Sequence, residues 1–244
     1  MINDQQDVLQ VLDAIQEEHA QALGDGHRII YGVAGSGKTV LLVARAKRLA
    51  QAGHKRVLVT CYNYMLADQL REQLRDYSAV SVKTFHAWAI GQGLSWQPDE
   101  PNDAFGERLL THLTDNAERV NKYDAVLIDE AQDFEPSWFT CLLSAMEDPE
   151  HGDLLIVADG CQGLYRRTKI SWSQLGIKAR GRTISCSYQL DRNYRNSREI
   201  IALAETFAFS NTDANDLDAI QSVRVNMSRC ELSRIRTSPR EPAW

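Results

Sequence analysis

With 244 residues, 43% of them hydrophobic and 25% charged, the chain has the make-up of ordinary globular protein, long for one small domain and short for two. Its net charge of −6 does not announce a nucleic-acid binder, and no apolar run approaches the ~20 residues of a membrane span, so no membrane partner is expected. The start, MINDQQDV, lacks the basic and then apolar pattern of a secretion signal, and five cysteines at 61, 141, 161, 186 and 230 form no close pair. A disulfide framework and a zinc knuckle are thereby disfavoured, and reduced thiols in a cytoplasmic protein are expected.

The first predicted element is a helix over residues 7–23, where Val8, Leu9, Val11, Leu12, Ile15, Ala20 and Leu23 keep helical spacing. A short strand over 28–31 runs into a Gly-rich turn, and a helix over 38–51 is stopped by Gly53. RVLVTCY (56–62) reads as a buried strand, followed by an amphipathic helix over about 64–77, a strand over 80–85 and a short helix. Residues 91–121 are polar and acidic, hold Pro98 and Pro101 and carry one helical stretch over 105–120; they read as an insertion between core elements. Then come a strand over 124–129, a helix over 137–146, strands over 153–159 and 183–190, and a helix over 197–209. The alternation implies an α/β fold with a mainly parallel sheet flanked by helices. In such a sheet ligands bind beyond the carboxyl ends of the strands.

Residues 32–39 read GVAGSGKT, a complete G-x-x-x-x-G-K-[ST] between a strand and a helix. Gly32, Gly35, Ser36 and Gly37 let the backbone wrap around phosphate oxygens, and the helix amino terminus adds its dipole. Lys38 is expected to reach the β- and γ-phosphates and Thr39 to ligate Mg²⁺, which makes ATP and Mg²⁺ the expected ligands. Residues 124–134 read DAVLIDEAQDF, an apolar strand ending in two adjacent carboxylates. Asp129 is assigned to the metal and Glu130 to an attacking water, with both carboxylates expected on a strand neighbouring the phosphate loop. Asp133 is a candidate supporting acceptor.

Together, GVAGSGKT and IDEAQD resemble the superfamily 1 DNA helicases of the UvrD/Rep type. LLIVADGCQGLY (154–165) is similar to the third motif of that family, LDRNYRNSREI (190–200) to the fourth, and VKTFH (82–86) to its threonine–histidine segment. VTCYNYMLADQL (59–70) matches the first-a motif only loosely, and NDQQ resembles the adenine-reading glutamine motif, with Gln6 or Gln5 in register. The resemblance implies a RecA-like, P-loop NTPase fold. It implies that Gln162 senses the γ-phosphate, that Tyr194 stacks on adenine and that Arg195 reaches the γ-phosphate. It also implies single-stranded DNA as a partner, met near Thr60, Asn63, Thr84, Phe85 and His86. Trp88 and Trp172 are left as core or interface residues.

The later motifs of a complete helicase of this type do not follow. Residues 221–244 carry five Arg and two Glu, a local net of +3, and no apolar periodicity. The expected organisation is therefore a RecA-like ATP-binding domain over 1–190, with 191–244 the start of an incomplete second domain and a disordered tail. On this reading the chain is a truncated motor domain, unable to unwind DNA alone, and a partner chain would have to supply the second motor domain. Two other readings stay open: a non-motor ATP-binding regulatory module of a larger complex, and a small-molecule phosphotransferase, which would need neither the third motif nor the N-Y-R segment.

Overall fold

Strands buried on both faces must be apolar along their whole length, and the runs AVLI and DLLIVAD have that character. The computed structural model describes residues 25–32, 35–95, 97–159 and 171–179, together with the backbone of 183–184. In chain order these hold β1 (His27–Gly32), α1 (Lys38–Gln51), β2 (Val57–Cys61), α2 (Tyr64–Leu74), β3 (Val80–Thr84), α3 (Phe85–Gly91) and α4 (Asn102–Asp115). There follow β4 (Ala125–Ile128), a 3₁₀ turn (Ala131–Asp133), α5 (Pro136–Ser144), β5 (Asp153–Asp159) and β6 (Thr183–Ile184). The six strands form one sheet in the order β3-β2-β4-β5-β1-β6, and every pairing is parallel.

Alternation along each strand sends side chains to two separate cores. Ala125 and Leu127 of β4, with Leu155 and Val157 of β5, meet Leu41, Leu42, Ala46 and Leu49 of α1 and Ala67, Leu70 and Leu74 of α2. Val126 and Ile128, with Leu154, Ile156 and Ala158, face α3, α4 and α5 and an aromatic group built on Phe85, Phe105, Phe134, Trp138 and Phe139. The apolar residues that made the strands recognisable thus serve both faces in turn, with helices covering each.

The helix starts are set by local chemistry. Asn63 Oδ1 accepts the Met65 N–H at 2.8 Å to open α2, and Thr84 Oγ1 accepts the Ala87 N–H at 3.2 Å to open α3. Pro136 occupies the first turn of α5, where its missing N–H costs nothing. On the edge strand β3, the Arg71 Nε donates to the Val82 carbonyl at 3.1 Å, so a side chain from α2 occupies a backbone group that the sheet leaves unpaired.

The polar stretch over 91–121 contributes more than a surface excursion. Its helix runs from Asn102 to Asp115, earlier than the 105–120 spacing suggested, and buries Phe105, Leu109 and Leu113. Gly106 lies against α5, where a Cβ would come 2.7 Å from Trp138 Cδ1 and closer still to Ser137 Oγ. The Trp138 indole N–H donates to the Asn102 carbonyl at 3.0 Å, tying the two helices at their ends. Trp88 is buried, and Trp172 packs edge-on against Phe139 while donating to the Tyr31 hydroxyl at 2.8 Å, so both belong to the core. Of the predicted 183–190 strand, Thr183 and Ile184 are described; the predicted helices over 7–23 and 197–209 lie outside the described residues.

Candidate functional site

All strands being parallel, their carboxyl ends share one edge of the sheet, and the residues singled out above follow those ends. Gly32 closes β1 opposite Asp159, the last residue of β5, and Asp129 follows β4 on the same edge. Between β1 and β4 stands β5, so the expectation that the phosphate loop and the carboxylate pair sit on neighbouring strands is corrected by one strand. The strand between brings its own carboxyl end, Asp159, to the gap.

The turn into α1 needs glycine at two places. Gly35 has φ 74° and Gly37 φ 89°, left-handed values that a side chain would strain. The turn delivers the chain into a 14-residue helix with no side-chain cap and no acidic residue in its first turn. No side chain of the helix's own first turn answers its dipole, which favours an anion at this end. Ser36 is buried, and its hydroxyl has no hydrogen-bond partner. Lys38 is buried as well, and its ammonium donates to the Gly32 carbonyl at 3.0 Å, folding back across the loop it belongs to.

Asp129 is completely buried. One carboxylate oxygen accepts the Glu130 N–H at 2.9 Å, while Oδ2 is buried without a hydrogen-bond partner. Burial pushes this carboxyl up to about 6; the Thr39 hydroxyl, the Glu130 N–H and the Lys38 ammonium pull against that rise, and the Glu130 carboxylate adds to it. An orphaned acid oxygen beside a hydroxyl and an ammonium is under-satisfied unless a cation joins it. The residues present therefore fit a Mg²⁺ held by Asp129 and Thr39. Among the described residues no group of three His, Cys, Asp or Glu could hold a metal unaided. That suits Mg²⁺, which usually takes one or two protein ligands and fills its shell with phosphate oxygens and water.

Glu130 is half-buried and has φ 49° and ψ 46°, a left-handed backbone in a residue other than glycine. Such a conformation costs on the order of 1–3 kcal/mol and persists only where its surroundings hold it. The turn itself is closed by the Asp133 N–H on the Glu130 carbonyl at 3.0 Å, and Gln132, which sequence reasoning passed over, reaches the Glu130 side chain. Its amide nitrogen donates to Glu130 Oε2, and its amide oxygen accepts the Asp159 N–H at 3.0 Å. The signal available in the sequence was its place two residues beyond Glu130. Asp133, the supporting acceptor expected there, is exposed in the same turn.

The residues expected to meet DNA divide sharply. Thr60 and Phe85 are fully buried, Phe85 stacking on Trp138 with centroids 4.1 Å apart. Thr84 is buried at 9% exposure and caps α3, and His86 is half-buried among Tyr62, Phe105 and Trp138, where burial lowers its pKa. Asn63 alone of the five is exposed, and its side chain caps α2. Around it the chain presents Tyr62, Tyr64 and Met65 at 41%, 65% and 73% exposure. On this part of the edge the exposed side chains are Tyr62, Asn63, Tyr64 and Met65, while those of Thr60 and Phe85 are covered. Gln6, Gln5, Gln162, Tyr194 and Arg195 lie outside the described residues, so the structure neither joins them to this site nor separates them from it.

A family model described as an AAA domain matches residues 16–167, more than half of the chain. Among solved structures, the chain is similar to the Pif1 helicase from Candida albicans at 19% identity, with a TM-score of 0.50. The match covers 82% of this chain and 45% of that one, so the chain spans less than half the length of the solved helicase. At that identity the likeness is one of fold, and it bears out the expected α/β, RecA-like P-loop architecture. A comparison with curated proteins gave no match.

Proposed function

The chain belongs to the AAA domain family, and from that premise we propose that it is the ATP-binding motor domain of a UvrD-like superfamily 1 DNA helicase working in the cytoplasm. The observation that carries this reading is the pairing, on one sheet edge, of a glycine-built phosphate loop with a buried, under-satisfied acid. Lys38, poised on the Gly32 carbonyl, exchanges that contact for phosphate oxygens when a nucleotide enters. Thr39 and Asp129 would hold Mg²⁺, which would supply positive charge against the phosphates of a bound nucleotide. Glu130 orients the attacking water; the protein otherwise contributes positioning and electrostatics, as phosphoryl transfer requires.

In the same reading Gln6 and Tyr194 take the adenine, while Gln162 and Arg195 sense the γ-phosphate. Single-stranded DNA crosses the carboxyl edge over Tyr62, Tyr64 and Met65, where the exposed Tyr64 ring offers a base a stacking face without reading it and Met65 offers an apolar contact. Stepping along a strand needs a second motor domain that closes on ATP and opens after hydrolysis. A single such sheet binds nucleotide and turns it over slowly, and a partner chain or further domain completes the motor.

Calorimetry with ATP and Mg²⁺ tests the core of this proposal. Binding to the wild-type chain is expected, with Lys38→Ala at least tenfold weaker, or about 1.4 kcal/mol. Equal affinities would sink it. Tight binding accompanied by no hydrolysis, with Glu130→Gln indistinguishable from wild type, would favour the non-motor regulatory module instead.

A further inference from the structure

We infer that Gln132 is a positioning residue for hydrolysis, holding the Glu130 carboxylate in place by tying it to the end of β5. The inference rests on the reading of Glu130 as the water-orienting group. It begins from two hydrogen bonds made by one side chain. The Gln132 amide nitrogen donates to Glu130 Oε2, and its amide oxygen accepts the Asp159 N–H at 3.0 Å. These bonds admit only one orientation of the amide. Turned over, its oxygen would face a carboxylate and its NH₂ would face a backbone N–H, opposing like groups at both ends.

The surroundings make this bridge consequential. Glu130 stands on a left-handed backbone at φ 49°, and the 3₁₀ turn after it is closed by the Asp133 N–H on the Glu130 carbonyl at 3.0 Å. The turn fixes where the backbone goes. The Glu130 side chain still has three rotatable bonds, and the Gln132 amide supplies a contact that selects among their positions. The other end of the bridge lies on Asp159, across from Gly32 at the mouth of the phosphate loop. Gln132 thus references the carboxylate of β4 to the strand that separates it from the loop. A water-orienting group misplaced by about 1 Å can lose roughly a hundredfold in rate without loss of binding. The expected signature is therefore a fall in kcat at constant KM.

Two variants separate the halves of the bridge. Gln132→Met keeps the length and removes both bonds. Gln132→Glu keeps an acceptor for the Asp159 N–H, removes the donor and sets a like charge against Glu130. Hydrolysis is measured on the whole chain with enzyme in excess over ATP, so that a slow rate is still read. Both variants are expected to lose about 10- to 100-fold in rate. Their affinity for a fluorescent ATP analogue should stay within about twofold of wild type, which also shows that they fold. In a Glu130→Gln background, Gln132→Met should cost nothing more. Without nucleotide, the Asp159 amide should exchange faster with solvent in Gln132→Met and keep its protection in Gln132→Glu.

Wild-type rates in both variants would overturn the inference, as would an additive loss in the double variant or unchanged Asp159 protection in Gln132→Met. So would nucleotide affinity falling in step with the rate. A failure of the parent reading looks different. There, Glu130→Gln hydrolyses as fast as wild type, or the wild-type chain hydrolyses nothing under single turnover, and the inference falls with it.

Discussion

Phe85 lies flat on Trp138, the rings inclined by 7°, and both are fully buried. Truncating such a ring removes its transfer energy and leaves a cavity, together about 3–5 kcal/mol. Phe85→Ala is therefore expected to lower the urea midpoint steeply, which makes it a stability variant and unsuited to testing a DNA surface. Tyr64 is the better probe, exposed at 65% with the Arg71 guanidinium 5.8 Å from its ring. Tyr64→Ala should cost under about 1 kcal/mol of stability. It should weaken single-stranded DNA binding, read by fluorescence anisotropy at low and high salt, and unchanged affinity would count against this edge as the contact surface. The T-F-H segment was legible as a motif. That its phenylalanine points inward was not, because an aromatic at a strand end suits a core and a stacking platform equally well until its neighbours are known.

At the scale of elements, α4 and α5 meet through a residue with no side chain. Adding a Cβ at Gly106 places it 2.7 Å from Trp138 Cδ1, and the indole is pinned by its bond to Asn102. Overpacking of this kind costs about 1–3 kcal/mol, so Gly106→Ala is expected to destabilise the chain although alanine is the better helix former. A thermal melt at or above wild type would show that the helices separate freely. A second test lies at the opposite end of the sheet. Asp124 Oδ2 accepts the Lys55 and Arg56 N–H groups at 2.7 and 3.0 Å. Burial raises its pKa, but these two bonds and the Arg56 charge outweigh it and hold the carboxyl below 3.8. A depressed acid stabilises above its unfolded pKa and loses that contribution as pH falls through the folded one. Asp124→Ala should thus cost about 1–2 kcal/mol at pH 7, with the difference in urea midpoint closing below about pH 4. The strands were legible because burial on both faces demands unbroken apolar runs. The role of α4 was not, because the polar residues and prolines around it dominate the stretch over 91–121 and mask Phe105, Leu109 and Leu113, four apart on one face.

For the whole molecule, the described residues make one sheet with one nucleotide edge, and on the proposed reading stepping requires a second unit for that edge to close against. The chain alone is expected to hydrolyse ATP well below an ordinary turnover of ~10 s⁻¹ and to displace no strand from duplex DNA. DNA-stimulated turnover at that rate, with displacement, would mean that self-association completes the motor. The edge itself was readable from GVAGSGKT and IDEAQD, since each motif combines a strand end with the residue types its chemistry needs. The order of the strands along that edge was not, because parallel crossovers of similar length permit several orders and only packing selects among them.

That order bears on how the chain is made. In the described sheet β1 pairs only with β5 and β6, His27 lying opposite Leu154 and Ile29 opposite Thr183. β2, by contrast, lies between β3 and β4 and has both its neighbours once Ile128 is made, although β4 still awaits β5 on its other side. On the ribosome, at about 5–20 residues per second, the phosphate-loop strand emerges early and then waits on the order of ten seconds for its neighbour. Through that interval its apolar edge is open to whatever else is nearby, and nucleotide has no finished cradle to stabilise. A nascent chain stalled before Asp153 should accordingly be cut by protease at the same rate with and without ATP, and protection should begin only once β5 has cleared the exit tunnel.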